Sequence, residues 1–272
     1  LFSAVKTWKL KLYKTSLLIL KMVEQINISL AGRTAVITGA TRGIGKSISE
    51  IFLIAGANLI LTGTNQEEID ELNLNNENPL ILWVKADFST LGDIEKFSEQ
   101  LKTYDSIDIC VNNAGINIIK PNDVCSQTEY QQLININLTA PFQILQTLLP
   151  VMRNNGWGRI INIASIWSKI TKPNRSMYSM SKAGLAGLTR SLAVEYGKSN
   201  ILVNAISPGF TLTELTKHSL SVAEIKSLSE QIPLQRFANP IEIANAVLFL
   251  CSDLNTYITG QNIILDGGFS IV

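Results

Sequence analysis

A tyrosine and a lysine stand four residues apart in the segment MYSMSK, as Tyr178 and Lys182. A free phenol titrates near ~10, so it moves protons at neutral pH only where its surroundings lower its pKa. On a helix, residues i and i+4 share a face, and at ~5 Å a lysine charge stabilises a phenolate by about 3 kcal/mol, or roughly 2 pKa units. Burial acts in the opposite direction. The spacing predicts an acid–base tyrosine whose pKa is lowered toward about 7–8.

A glycine-rich turn, TGATRGIGKS, follows the first run of β-branched residues. Gly39, Gly43 and Gly45 let the backbone approach a phosphate closely, and the following helix points its N-terminal N–H groups at the anion. The alternative P-loop pattern GxxxxGK(S/T) fails by one position, because its first glycine would fall on Ala40. The turn predicts phosphate binding, although a simple strand-to-helix turn has a similar composition.

Composition and the rarer side chains exclude other chemistry. The net charge is +1, but five lysines precede Glu24, so the rest of the chain is slightly acidic and lacks the charge of a nucleic-acid binder. His218 is the single histidine and no GxSxG motif supplies a serine, which argues against Ser-His-Asp hydrolysis. Cys110, Cys125 and Cys251 cannot all pair and form no metal-binding pattern. We predict reduced thiols, a cytoplasmic location and no metal site.

Short apolar runs alternate with longer helical patterns from Gly32 to the C-terminus. The runs are rich in β-branched residues, whereas segments such as GKSISEIFLIAG carry apolar residues at three- and four-residue spacing. This order predicts an α/β fold, a doubly wound parallel sheet of the Rossmann type with about seven strands, in a single domain. The predicted strands are 33–38, 58–62, 80–85, 107–112, 159–164, 201–206 and 262–266.

The chain begins with a basic segment, LFSAVKTWKLKLYKTSLLILK. Its longest apolar run, LLIL, is too short for a secretion signal or a membrane span. Met22 directly precedes the approach to the first strand, so we predict that residues 1–21 are an upstream extension. A weakly amphipathic targeting or docking segment is the alternative. The predicted domain boundary leaves residues 1–29 outside the core and places residues 30–272 in the folded domain.

Further motifs follow the later predicted strands in a fixed order. They are Asp87 after the third strand, Asn112-Asn113-Ala114-Gly115 after the fourth, Asn137 in a helix, Ser165 thirteen residues before Tyr178, and Pro208-Gly209 after the sixth. Together with TGxxxGIG, this ordered set resembles the short-chain dehydrogenase/reductase family from about residue 30 to YITGQNIILDGG near the C-terminus. Within the family it is most similar to the 3-oxoacyl-[acyl-carrier-protein] reductase-like members.

The resemblance implies hydride transfer between NAD(P) and a carbonyl or secondary alcohol. Tyr178 would protonate the carbonyl oxygen, Ser165 would orient it, and Lys182 would also hold the nicotinamide ribose. Asn137 would kink its helix and bind a water in a proton relay, while Asp87 would contact the adenine. Besides Tyr178 and Lys182, the implied cofactor residues are Gly39, Thr41, Arg42, Gly43, Ile44, Gly45, Thr64, Asp87, Asn113 (adenosine ribose), Ala114, Gly115, Pro208, Gly209 and Thr211.

The end of the second strand bears on the choice of cofactor. An acidic side chain there would bind a ribose 2′-hydroxyl, but the sequence has Gly63, Thr64 and Asn65. Arg42 is placed to meet a 2′-phosphate, and Thr64 can donate a hydrogen bond to it. We predict a preference for NADP(H), with NAD(H) as the alternative.

The substrate is less well specified. Residues predicted to line the cleft are Asn117, Ile166, Trp167, Lys169, Asn174 and a lid segment after Pro208 that includes His218 in a loop. Apolar members favour an acyl thioester, whereas the polar ones favour a sugar, polyol or gluconate-type substrate. Basic residues near the cleft mouth would suit an acyl carrier protein, and the candidates are Arg153, Arg159, Lys169, Lys172 and Arg175.

Two other classes of protein are alternatives. A catalytically silent nucleotide-binding protein would keep the fold, but it would have little reason to keep all four catalytic side chains. A P-loop hydrolase has the wrong glycine spacing. The resemblance also implies a homotetramer joined by the helices around 126–153 and 177–198 and by the C-terminal strand, with no membrane span and no nucleic-acid partner.

Overall fold

The computed structural model describes residues 28–272, apart from the side chains of Leu215 and Ser219. Most of the predicted extension, residues 1–29, lies outside the described residues, so it stays a prediction. Ile28 packs against the apolar core. The chain therefore contacts the folded body two positions before the predicted boundary.

In the part of the chain that the structure describes, seven parallel strands form one sheet in the order β3-β2-β1-β4-β5-β6-β7. Each lies within two residues of its predicted bounds, and the predicted fold class is confirmed. The strands are β1 (Thr34–Ile37), β2 (Asn58–Gly63), β3 (Ile81–Lys85), β4 (Ile109–Asn112), β5 (Gly158–Ile163), β6 (Ile201–Pro208) and β7 (Asn262–Leu265).

Nine α-helices connect the strands within residues 28–272. Those between consecutive strands return the chain to the start of the next parallel strand. The helices are α1 (Gly43–Ile54), α2 (Gln66–Leu74), α3 (Leu91–Leu101), α4 (Gln127–Ile134), α5 (Ala140–Asn155), α6 (Ser176–Tyr196), α7 (Glu214–Ser219), α8 (Val222–Ser229) and α9 (Pro240–Cys251).

Helices cover both faces of the sheet. Successive residues of a strand point to opposite faces of the sheet. Val36 lies in one apolar cluster with Phe97 of α3 and Leu145 of α5. Its neighbour Ile37 lies in a second cluster, which includes Phe52 of α1 and residues of α9. Burial on both faces explains why these strands lack the polar alternation of a half-exposed sheet.

The sheet changes its direction of growth at β1. This strand pairs with β2 on one side and with β4 on the other, and the helices that follow β1 and β4, α1 and α5, pack on opposite faces of the sheet. Open α/β sheets bind ligands in the crevice that forms at such a point, outside the carboxyl ends of the strands. The glycine turn after β1 and the NNAG motif after β4 both lie at this crevice.

Buried amides connect the central strands to α6. The Asn112 side-chain nitrogen donates to the Asn162 side-chain oxygen at 2.8 Å, and Asn162 donates to the Thr189 hydroxyl at 2.9 Å. All three side chains are buried. This chain of hydrogen bonds fixes β4, β5 and α6 relative to one another, so Asn112 braces the end of β4.

Two basic residues predicted near the cleft mouth lie elsewhere. Arg159 is 3% exposed at the start of β5, where its guanidinium carbon lies 4.3 Å from the centre of the Trp157 ring. Arg153 is in the last turn of α5, which leads back to the start of β5. The prediction was wrong for both, because the starts of parallel strands lie at the edge of the sheet opposite the crevice.

The three cysteines are free, and two of them, Cys110 and Cys251, are buried. Burial raises the pKa of both thiols, which makes them poor nucleophiles. Within residues 28–272, no group of histidine, cysteine and acidic side chains could hold a metal. None of the helices described is both long and apolar enough to cross a membrane.

Candidate active site

The glycine turn brings backbone against backbone at the end of β1. Gly39 and Gly43 have φ angles of +65° and +59°, which L side chains rarely adopt. A β-carbon at Gly45 would lie 2.2 Å from the Gly39 carbonyl oxygen and 2.5 Å from the Asn113 side-chain nitrogen. No side chain of the described residues caps the N-terminus of α1. Its N–H groups and positive dipole end therefore face the crevice in a form that suits a phosphate.

Thr38 and Asn113 fasten this turn to the loop after β4. The Thr38 hydroxyl oxygen accepts hydrogen bonds from the N–H groups of Asn113 and Ala114, each at 3.0 Å. The Asn113 side-chain nitrogen donates to the carbonyls of Thr38 and Gly39 at 2.9 and 2.8 Å. Asn113 therefore braces the glycine turn with its nitrogen, which leaves its side-chain oxygen for the predicted ribose contact.

The end of β2 supports the same turn from the other side. The Thr62 hydroxyl accepts a hydrogen bond from the Gly39 N–H at 3.0 Å. A β-carbon at Gly63 would lie 2.5 Å from the Thr41 side chain. Thr64 and Arg42 are exposed at the rim of the crevice, as expected for residues that would meet a 2′-phosphate.

The remaining predicted cofactor residues lie along the same edge of the sheet. The Asp87 carboxylate, after β3, accepts a hydrogen bond from the Ser89 N–H at 2.9 Å. A β-carbon at Gly209, after β6, would lie 2.7 Å from Asp266. The set placed along this edge is Thr41, Ile44, Asp87, Ala114, Gly115, Pro208, Gly209 and Thr211.

Tyr178 and Lys182 lie on the first two turns of α6. Lys182 is 3% exposed, and its Nζ donates a hydrogen bond to the Ile163 carbonyl at 2.8 Å. Nζ lies 5.8 Å from the centre of the Tyr178 ring. The two side chains share the helix face that packs against the end of β5, as their spacing predicts.

Burial dominates the electrostatics of this pair. It raises the pKa of Tyr178 above its ordinary value, while the Ser165 hydroxyl and then the charge of Arg175 act in the opposite direction. Burial also lowers the pKa of Lys182 to about 8. The predicted lowering of the Tyr178 pKa by Lys182 is wrong, because desolvation of the phenolate outweighs the attraction of nearby charges. Tyr178 is therefore a neutral phenol at pH 7.

A π-helical turn, Asn135–Thr139, joins α4 to α5 and carries Asn137. The Asn137 side chain is fully buried; its oxygen accepts the Ile116 N–H at 2.9 Å, and its nitrogen donates to the Ile116 carbonyl at 2.9 Å. The same nitrogen donates to the Ser181 hydroxyl at 3.1 Å. The helix departs from α-geometry at Asn137, as predicted, and such departures are frequent at functional sites. The water relay stays a prediction.

Ser165 is the second residue after β5 and is 6% exposed. Its hydroxyl oxygen accepts a hydrogen bond from the Trp167 N–H at 3.3 Å, which opens a short 3₁₀ turn, Ile166–Ser168. Ser165 and Tyr178 are neighbours, because the Ser165 hydroxyl acts on the pKa of Tyr178 through a side-chain hydrogen bond.

The structure brings the four predicted catalytic side chains together. A β-carbon at Gly115 would lie 3.4 Å from both the Asn137 side-chain oxygen and the Lys182 Nζ. Lys182 shares a helix face with Tyr178, which in turn neighbours Ser165. The four groups therefore line one end of the crevice, beside the glycine turn.

The predicted lid is largely helical and contacts the glycine turn. Thr213 caps α7, and its methyl carbon lies 3.2 Å from the position of a β-carbon at Gly43. His218 is exposed within α7 and not in a loop, because α7 and α8 form part of the connection after β6.

The predicted substrate-lining residues divide into three groups. Trp167 borders a cavity of about 430 Å³. Asn117, Lys169 and Asn174 are exposed, whereas Ile166 is 1% exposed and belongs to the buried interior. The wall of the cavity consists of Trp167, Ile170, Thr171, Lys172, Gln231, Phe269, Ser270 and Val272.

Comparisons with known proteins agree with this geometry. The sequence profile of the family described as Enoyl-(Acyl carrier protein) reductase matches residues 39–270. The 3-oxoacyl-[acyl-carrier-protein] reductase FabG of Aquifex aeolicus is 41% identical over 248 residues, 89% of this chain and 99% of that protein. The chain belongs to the short-chain dehydrogenase/reductase family. The predicted family and its NAD(P)-dependent oxidoreductase class are therefore confirmed.

Two further relatives show the range of this short-chain dehydrogenase/reductase family. FabG of Rickettsia felis is 36% identical over 246 residues, 90% of this chain and all of that protein. The structure of a gluconate 5-dehydrogenase from Burkholderia cenocepacia in complex with NADP and tartrate has a TM-score of 0.82 and 28% identity, over 90% of this chain and 98% of that one.

Some residues that shape the site of this short-chain dehydrogenase/reductase were not predicted. Thr62 and Ser181 act through hydrogen bonds to the glycine turn and to Asn137. Gly63 leaves room for Thr41, and a glycine at the end of a strand is a signal of such close approach. Nothing in the sequence distinguishes Thr62 or Ser181 from ordinary core residues.

Gly45 lies so close to the Gly39 backbone and the Asn113 side chain that a β-carbon does not fit there. Gly45→Ala should destabilise this short-chain dehydrogenase/reductase by about 1–3 kcal/mol and abolish NADPH binding, because the new methyl group overlaps backbone atoms. Gly92→Ala is the matched control, since a β-carbon at Gly92 in α3 would meet open space. The control should gain up to ~1 kcal/mol of stability. Chemical unfolding and NADPH fluorescence titration measure both effects; normal NADPH affinity in Gly45→Ala would contradict the prediction.

Proposed function

We propose that this enzyme reduces 3-oxoacyl thioesters to 3-hydroxyacyl thioesters with NADPH. The observation that carries the proposal is the convergence of Ser165, Tyr178 and Lys182 beside an open helix N-terminus that suits a dinucleotide pyrophosphate. The similarity to FabG proteins from two organisms supports the acyl thioester as substrate.

Tyr178 is the proton donor in the proposed reaction. Its raised pKa keeps the phenol protonated at neutral pH, which is the form that a reduction needs at its start. As the carbonyl carbon is reduced, negative charge develops on the oxygen, and the phenol proton transfers to that oxygen. The Ser165 hydroxyl, beside Tyr178, donates a hydrogen bond to the same oxygen and orients it.

Lys182 and Asn137 stabilise the Tyr178 phenolate and help to return a proton to it. Loss of the proton leaves a phenolate, which the nearby Lys182 ammonium stabilises. The pKa of Lys182, about 8, allows the ammonium to pass a proton on near neutral pH. Asn137 holds the Ile116 backbone next to Lys182 and would anchor the water that leads to solvent.

The residues around the glycine turn fit a dinucleotide. The turn folds back on itself at Gly45, where a β-carbon would overlap the Gly39 carbonyl. The N–H groups at the start of α1 have no side-chain cap among the described residues. When bound, the nicotinamide supplies the hydride that the carbonyl carbon accepts. Arg42 and Thr64 at the rim would hold a 2′-phosphate, and the related gluconate 5-dehydrogenase was solved with NADP.

Partners and assembly follow from the same proposal. An acyl carrier protein would approach the cleft mouth, where Lys169, Lys172 and Arg175 supply positive charge. Four apolar side chains on α5 and α6 are exposed, which supports a homotetramer joined by these helices. They are Phe142, Val151, Met180 and Val194. The free cysteines fit a reducing compartment such as the cytoplasm.

A second candidate function is the oxidoreduction of a sugar acid. The observation that favours it is the polar part of the cavity beside Trp167, where Thr171, Lys172 and Gln231 can hydrogen-bond hydroxyl groups. The structural similarity to a gluconate 5-dehydrogenase points to the same class of substrate.

Initial rates of NADPH and NADH oxidation separate the candidates. The panel contains acetoacetyl-N-acetylcysteamine, 5-keto-gluconate and a neutral cyclic ketone. We expect kcat/KM with NADPH to be at least about 100-fold higher for the thioester than for the keto-gluconate, a difference of ~3 kcal/mol in transition-state stabilisation. The reverse order would establish the sugar-acid reaction, and a preference for NADH would overturn the choice of cofactor.

A further inference from the structure

Two cations lie close to one aromatic ring beside the catalytic tyrosine. The Lys172 Nζ lies 5.4 Å and the Arg175 guanidinium carbon lies 5.6 Å from the centre of the Trp167 ring. Trp167 is hydrogen-bonded to Ser165, and Arg175 precedes Tyr178 by one helical turn. The cations therefore lie on the substrate side of the catalytic hydroxyls.

The Arg175 guanidinium has hydrogen-bond donors without acceptors. Its Nε and Nη1 are buried, and neither has a hydrogen-bond partner among residues 28–272. Buried donors without partners are rare in folded proteins, because a buried polar group that lacks a hydrogen bond destabilises the fold. In the described part of the chain, no carboxylate forms an ion pair with Arg175 or Lys172. The third guanidinium nitrogen, Nη2, is not buried and also has no hydrogen-bond partner among residues 28–272, so it is open to an acceptor from outside the chain.

The pKa shifts of Lys172 and Arg175 also indicate that the two cations lack a neutralising partner among the described residues. Burial lowers the pKa of both Arg175 and Lys172, and the charge of Arg175 lowers that of Lys172 further. The two cations therefore repel one another without a neutralising group. A ligand oxygen, and an anionic one most of all, would relieve this repulsion.

We propose that Arg175 binds a second oxygen of the substrate, in a carbonyl or carboxylate group next to the carbonyl that is reduced. This inference rests on the proposed function, since a 3-oxoacyl thioester carries such an oxygen on its thioester carbon. A keto acid carries one on its carboxylate. Arg175 is then a specificity residue that selects dicarbonyl compounds over simple ketones, because a substrate without the second oxygen leaves its donors unpaired.

The first test compares two thioester-like substrates in wild type and Arg175→Met. They are acetoacetyl-N-acetylcysteamine and its thioether analogue, in which a CH₂ group replaces the thioester carbonyl. Arg175→Met should lower kcat/KM at least about 10-fold more for the thioester than for the analogue, and Arg175→Lys should recover part of the loss. Lys198→Met, in the short turn just after the C-terminal end of α6, is the matched control for loss of one positive charge and should leave both rates unchanged. Equal losses for both substrates, or none, would overturn the inference.

Acetoacetate distinguishes the two sources of the oxygen. If Arg175→Met affects this acid more strongly, and the effect shrinks as salt is added, the bound group is a carboxylate. If the effect is confined to the thioester and insensitive to salt, the bound group is the thioester carbonyl. Either result supports the role of Arg175.

Binding measurements separate this inference from the proposed function. The affinities of acetoacetyl-N-acetylcysteamine and acetoacetate are measured by calorimetry with NADPH and Tyr178→Phe, with and without Arg175→Met, so that turnover is not required. At least ~10-fold weaker binding after loss of Arg175 supports the inference even if wild type reduces neither compound. Turnover by wild type with equal affinities in the two variants overturns the inference and leaves the proposed function standing. Failure of both compounds to bind overturns the inference as well.

Discussion

Tyr178→Phe should lower kcat for carbonyl reduction by about 10²–10⁴-fold, because proton transfer to the developing alkoxide loses its donor. NADPH affinity should stay within a few-fold of wild type, since the change removes one hydroxyl from the mouth of the crevice and leaves the glycine turn untouched. Steady-state rates and NADPH fluorescence titration, made on the same preparations, give the two values.

The matched control for this change is Tyr196→Phe, which removes the same hydroxyl from the last turn of the same helix. Tyr196 packs against the apolar core far from the crevice, and its variant should keep wild-type rates. Full activity in Tyr178→Phe, or an equal loss in Tyr196→Phe, would exclude Tyr178 as the proton donor.

Lys182→Met should strongly impair carbonyl reduction and at the same time make the protein without added cofactor more stable at pH 7. The loss of activity follows because no ammonium remains to stabilise the phenolate; we expect at least about a 100-fold decrease in kcat/KM. The gain in stability follows because burial lowers the pKa of Lys182 to about 8, so the charged form opposes folding. That shift corresponds to a gain of about 3 kcal/mol in the free energy of unfolding. Loss of the hydrogen-bond donor to the Ile163 carbonyl should reduce this gain by ~1–2 kcal/mol.

The contribution of Lys182 to the free energy of unfolding depends on pH. Between pH 8 and the unfolded-state value of ~10.4, the unfolded chain binds the lysine proton while the folded chain has released it, so Lys182 makes wild-type stability rise with pH. The stability advantage of Lys182→Met should therefore be largest below pH 8 and shrink as pH approaches 10.4. Cys110, Cys251 and Tyr178 titrate in the alkaline range with the opposite sign, so the comparison is made between the two proteins at each pH.

Urea unfolding from pH 6.5 to 10 measures this difference. Lys198→Met is the control, since it removes an exposed lysine and should change stability by less than ~0.5 kcal/mol at any pH. A constant difference between wild type and Lys182→Met across this range would show that the lysine charge is not desolvated in the folded protein.

The architecture was predictable because its pattern is strong. Runs such as RIINIA carry apolar residues at consecutive as well as alternate positions, which is typical of a sheet covered on both faces, and β5 and β6 are buried throughout. The order of TGxxxGIG, NNAG and Ser165 then placed these motifs after the carboxyl ends of parallel strands, which meet at one crevice, and placed Tyr178-x-x-x-Lys182 on the helix that follows β5.

The electrostatics of the site were not predictable from spacing. The i and i+4 relation of Tyr178 and Lys182 gives their separation, but the direction of the pKa shift depends on how deeply each group is buried. The sequence likewise does not show that the Arg175 side chain folds onto Trp167 with unpaired donors. Arg159, counted with the mouth residues, is instead buried beside Trp157 at the opposite edge.

Asn113 has a structural role that its sequence motif does not show. Its position after β4 is given by the NNAG motif, yet the donation of both side-chain hydrogen bonds to Thr38 and Gly39 depends on the fold of the glycine turn. A residue implied to contact the cofactor therefore also holds the turn that receives it.

Transfer of deuterium tests the central claim most directly. Wild type and Tyr178→Phe are incubated with acetoacetyl-N-acetylcysteamine and NADPH that carries deuterium at both C4 positions, and the products are analysed by mass spectrometry. We expect one deuterium at C3 of the 3-hydroxyacyl product with wild type, and at least about a 100-fold slower appearance with Tyr178→Phe. NADPH oxidation that leaves no deuterium in the product, or labelling at the wild-type rate by Tyr178→Phe, would contradict hydride transfer with Tyr178 as the proton donor.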